Sequence, residues 1–92
     1  MKMHIYSLYD TLSAAYTRPQ FDVLSCEDMA QSLTRAIKSD PVKNGLLKYM
    51  RSFYLGTFDD DNCTFDLLPQ PLLCLDCGTV FPPETHEVKK DA

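Results

Sequence analysis

The chain has 92 residues, of which 45% are hydrophobic and 24% charged, and its formal charge is −4. That length builds one domain around one small core, with the composition of an ordinary globular protein. No apolar run approaches the roughly 20 residues that cross a bilayer, and "MKMHIYSLYD" carries no signal-peptide pattern, so a membrane or secreted protein is not expected.

In chain order, "MHIYSLYD" (3–10) alternates Met3, Ile5 and Ser7 against His4, Tyr6 and Leu8, as a strand with both faces partly covered does. "TLSAAYTRPQ" breaks that alternation, and Pro19 pushes Arg18 out of the helical region, so a connection is expected. "FDVL" (21–24) reads as a short strand leading into a helix. The helix is expected over 26–38. Ser25 caps it, Glu27 and Asp28 suit its positive end, and Met29, Leu33 and Ile37 form an apolar stripe beside Ala30 and Ala36. Arg35 and Lys38 suit its last turn, and "SDP" (39–41) ends it.

"VKNGLLKYM" (42–50) reads as a helical turn or a loop. "SFYLGTF" (52–58), the turn "DDDN" (59–62) and "CTFDLL" (63–68) make a β-hairpin, so the hairpin is expected over 52–68. Pro69 and Pro71 interrupt pairing, "LLCLD" (72–76) reads as an edge strand, and Cys77-Gly78 as a turn. The fold class is therefore α+β, a small antiparallel sheet of three to four strands with one amphipathic helix on a face. One domain is expected over 1–81, with a polar, flexible tail over 82–92.

The cysteines need separate treatment. In a cytoplasmic protein Cys26, Cys63, Cys74 and Cys77 are expected as reduced thiols. Cys74 and Cys77 have the spacing of one zinc knuckle, but a structural zinc needs four ligands. Only Cys63, Cys26, His4 or His86, or a second copy's pair, would complete the set, so a zinc-stapled module is a minor alternative and no metal ligand is assigned. A redox dithiol fits less well, because no helix follows the pair. Asp59 and Asp61 begin like a calcium loop, but the central glycine and distal glutamate are missing, so a solvated turn is expected. No phosphate-binding loop or placed catalytic dyad is visible, so the chain is read as a non-enzyme without a cofactor.

Charge is unevenly distributed. Residues 35–51 carry +4, whereas 1–34 carry −2 and 52–92 carry −6. In the cationic segment Arg35, Lys38, Lys43, Lys48 and Arg51 are interleaved with aromatics. Those cations suit phosphates, and Tyr49 and Tyr54 suit unpaired bases, so these seven residues are the candidate single-stranded DNA contacts. A solvated helix face is the simpler account of the same charges.

The run "YSLYDTLSAAYTRPQF" (6–21), then "SDP" (39–41), then "YLGTFDDDNCTF" (54–65) resembles the small nonstructural protein of gokushovirus-type microviruses, which are single-stranded DNA phages. The matching features are a strand ending at Asp10, then Tyr16 and Pro19 to Phe21, an Asp-Pro stop after the helix, and the hairpin from Tyr54 to Asp59. Cys63 departs from a turn position that is often glycine in that family, and Cys74 and Cys77 fall in its variable end. The resemblance implies a phage accessory protein in the host cytoplasm that assists genome synthesis or packaging. Expected partners are single-stranded DNA or a viral or host replication protein. The alternative is a protein-interaction module, marked by an exposed aromatic patch with dispersed cations. Self-pairing along an edge strand is a further expectation for such a sheet.

Overall fold

The computed structural model describes residues 1–82, so most of the expected tail, including His86, lies outside the described residues. The elements run β1 (Lys2–Asp10), β2 (Ala15–Tyr16), β3 (Gln20–Asp22), α1 (Cys26–Ser39), a 3-10 turn (Gly45–Tyr49), β4 (Met50–Asp59), β5 (Thr64–Asp76) and a second 3-10 turn (Cys77–Val80). The fold is α+β, as the alternation and the helical stripe predict. All pairings among the five strands are antiparallel. β1 and β4 form the centre, β5 flanks β4, and β2 and β3 share the outer edge of β1.

The helix forms for the reasons its sequence gives. The Ser25 hydroxyl accepts from the Asp28 amide at 3.2 Å, which satisfies one of the orphan donors of the first turn. At the other end the Asp40 amide donates to the Ala36 carbonyl. Ile37 is 1% exposed and anchors the inward side of α1. Its burial, with that of Ile5 and Tyr6, marks where the small core sits.

β4 carries the main irregularity of the sheet. Tyr6 pairs with Tyr54 and Ile5 with Gly56, so Leu55 is an extra residue, a β-bulge. Gly56 has φ +143°, and a Cβ there would sit 2.8 Å from the Leu67 Cα, so only glycine fits. On the far side of β4 the register jumps from Tyr54–Leu72 to Gly56–Leu67. Residues 68–71, with Pro69 and Pro71, are absorbed opposite the bulge. The prolines therefore interrupt pairing as expected but do not end the strand. β5 is one strand of 13 residues, where a hairpin arm and a separate edge strand were expected.

The thiol expectation is corrected. Cys26, at the start of α1, and Cys74, in β5, form a disulfide across 48 residues, with Cα atoms 5.8 Å apart. That separation suits the bond geometrically. Helix start and edge strand come together only after the chain has folded back, so spacing along the sequence gives no hint of the pair. Cys74 is thereby removed from any zinc knuckle with Cys77. Cys77 is fully buried, and burial, with help from Asp76, pushes its thiol up to about 11.

Candidate docking face

Successive strand residues point to opposite sides of the sheet, and cross-strand partners share a side. On one side Tyr6, Leu8 and Ser52 meet Met29 and Leu33 of α1 around a cavity of about 80 Å³. The Tyr6 hydroxyl donates to the Leu24 carbonyl at 2.6 Å, which ties the approach to the helix onto the sheet. Burial, reinforced by Tyr54 and nearby Asp22 and Asp28, pushes the Tyr6 phenol up to about 12. Tyr54 lies on this same side, its ring 5.4 Å from that of Tyr6 and its hydroxyl 2.8 Å from His4 Nδ1. α1 covers this side over Tyr6, Leu8 and Ser52, while Leu72, the cross-strand partner of Tyr54, stays 53% exposed.

The other side has no helix over it among the described residues. Phe58 and Phe65 lie across the β4–β5 pair with ring centroids 4.8 Å apart, and Phe21 of β3 meets them at 5.4 and 6.3 Å. Further along, Tyr16 bridges Tyr9 at 4.9 Å and Phe53 at 5.7 Å. Leu67 and Leu73 belong to the same side, because Leu67 follows Phe65 by two residues and Leu73 pairs with Phe53. Tyr16 is 50% exposed, Phe21 43%, Phe65 56%, Leu67 59% and Leu73 49%. Between the aromatic groups lies a hollow of about 300 Å³, lined by Tyr16, Pro19, Leu55 and Pro71.

The sequence-predicted DNA contacts fall elsewhere. Arg35 and Lys38 are exposed on α1, which covers the opposite side of the sheet. Lys43 is exposed in the turn after α1, where its amide donates to Asp40. Lys48 and Tyr49 end the first 3-10 turn, with Tyr49 40% exposed. Arg51 alone shares a side with the aromatics, through its pairing with Tyr9, and its Nε lies 3.5 Å from Asp76. Tyr54 is on the side that α1 covers, with its hydroxyl bonded to His4. The seven residues thus do not form one aromatic and cationic face.

The residues that sequence reading passed over are Tyr16, Phe21, Phe65, Leu67 and Leu73. Their signal was alternation within short segments, which tells that a residue faces one side but not whether that side is covered.

The "DDDN" stretch is a turn, as expected. Asp60 and Asp61 accept hydrogen bonds from the Met1 ammonium at 2.8 and 3.0 Å, and these bonds raise that group to about 10. With Asp59 they form a cluster of three exposed or half-exposed carboxylates around the amine. No helix among the described residues is long and apolar enough to cross a membrane.

No family model, curated protein or solved structure matches the chain.

Proposed function

We propose that the protein is a non-enzymatic interaction module that docks an apolar protein surface on the uncovered side of its sheet. The observation that carries this reading is the run of half-exposed aromatic and leucine side chains, beside which stands the opposite-charge pair Arg51 and Asp76. Water-exposed apolar surface of that kind gains free energy when a partner covers it, roughly 25 cal/mol for each Å² removed from water. A polynucleotide would gain less. Stacking on these rings needs cations nearby to hold the phosphates, and those cations lie on the helix and its following turns. The microvirus resemblance gives the module a setting, a viral replication or packaging assembly, where it acts on a viral or host protein.

Photo-crosslinking amino acids placed at 65 and at 35 in the producing bacterium test the reading. Protein adducts from position 65 and few from 35 are the expected result. DNA adducts concentrated at 35 would overturn it and restore the basic segment as the binding site.

A further inference from the structure

We infer that the surface docked on the bare side of the sheet is the same side of a second copy, giving an isologous dimer with its two sheets face to face. This inference rests on the docking reading above and adds the identity of the occupant. Three observations carry it.

The first is shape. The same side carries an aromatic cluster, Phe21, Phe58 and Phe65, and a hollow lined by Leu55 and Pro71. Phe58 pairs with Met3, and the hollow reaches Ser7, so the two lie about four residues apart along β1, or roughly 13 Å. In a two-fold dimer whatever residue i meets on the partner, its counterpart meets in return. A two-fold axis between cluster and hollow therefore seats each aromatic cluster in the other copy's hollow.

Charge is the second. A face that meets itself brings identical groups together, so charges on it would repel. Here Arg51 and its cross-strand partner Asp76 share the face as an opposite-charge pair, 3.5 Å apart.

Area and the state of the edges make the third. Tyr16, Phe21 and Phe65 are about half exposed, which at about 200 Å² per aromatic leaves roughly 300 Å² open from these three alone. Leu67, Leu73 and the rims of the intervening residues extend this toward the ~800 Å² that each partner contributes to a standard interface. The edges offer less. β5 carries Pro69 and Pro71, which lack an N–H to donate, and the opposite edge is divided between strands of two and three residues. Face pairing thus replaces the edge pairing expected of such a sheet.

Sedimentation velocity of the full chain, from about 1 to about 200 μM, tests the inference. A concentration-dependent dimer is expected, with Phe65→Asp and Pro71→Arg each monomeric across that range and each keeping the wild-type circular dichroism spectrum. Both positions are exposed, and the unchanged spectrum shows that each variant still folds. Mixing the two variants should restore a dimer, because one contact then sets Asp against Arg and the other is wild type. A wild-type chain that stays monomeric throughout overturns the second copy as occupant, while crosslinks from position 65 to another protein would leave the docking reading intact. A dimer that persists in both variants, or a mixture that fails to reassociate, overturns the inference. Persistence in both, combined with no protein crosslinks from position 65, removes the docking reading as well.

Discussion

The two sides of this sheet are built from similar residues and meet different fates. On one, Tyr6, Leu8 and Tyr54 lie beneath or beside α1, the tyrosine hydroxyls find partners, and Ile37 closes the core. On the other, Tyr16, Phe21, Phe65, Leu67 and Leu73 are left about half open to water. The helix side, with Ile5 and Ser7 buried on the other, holds the fold together, and around those two the bare side retains apolar surface that folding did not cover. The difference shows that hydrophobicity in a strand does not reveal its purpose until the layer above it is known.

That contrast can be broken in stages. The largest effect should come from the tie between helix and sheet. Replacing both Cys26 and Cys74 with serine, or reducing the bond, should lower unfolding free energy by roughly 3–4 kcal/mol, read as the urea midpoint, because 48 residues separate the pair. Ile37→Ala should cost about 3 kcal/mol, since the side chain is 1% exposed and leaves a cavity under α1. Gly56→Ala should cost roughly 2–3 kcal/mol through its φ of +143° and the approach of Leu67, with thermal melting as the readout. Phe65→Ser, on the bare side of the isolated monomer, should cost about 1–2 kcal/mol, less than Ile37→Ala, because the ring is 56% exposed and keeps only its contacts with Phe58 and Phe21. A loss as large as that of Ile37→Ala would mean that the bare side supports the fold as the core does, and the contrast would fail.

A smaller effect concerns pH. The Met1 ammonium rises from 8.0 to about 10, the Cys77 thiol from 9.0 to about 11 and the Tyr6 phenol from 10.0 to about 12. Hydrogen bonds to Asp60 and Asp61 cause the first shift, and burial causes the other two. In each case the folded chain holds its proton more tightly than the unfolded chain. Their contribution is complete below pH 8 and declines as pH rises toward 12, so the urea midpoint should fall progressively over that interval. Native alkylation at pH 8 should label the exposed Cys63 and spare the buried Cys77.

Local chemistry made part of this fold legible. Ser25, the Met29–Leu33–Ile37 stripe and the Asp40-Pro41 stop place the helix within one residue of its observed end. The turn at 59–62 and its flanking strands follow from composition in the same way. What escaped depended on distant partners. The two-residue β2 exists only because Tyr16 and Ala15 pair with β1. The continuity of β5 past Pro69 and Pro71 depends on the bulge at Leu55, and the disulfide on where α1 begins relative to β5. The bare face was hidden for a related reason: Phe21, Phe53, Phe58 and Phe65 read equally well as core. Only the position of α1 decides that these four lie on the open side.

Hydroxyl-radical oxidation read by mass spectrometry, comparing the protein inside the producing cell with the same protein purified and dilute, tests the bare face most directly. The account predicts that Tyr16, Phe21 and Phe65 are oxidised in the dilute sample and protected in the cell, while Tyr6 and Ile37 are protected in both. Equal oxidation of Tyr16, Phe21 and Phe65 in the two samples would contradict it, because nothing would then be covering the face on which the account depends.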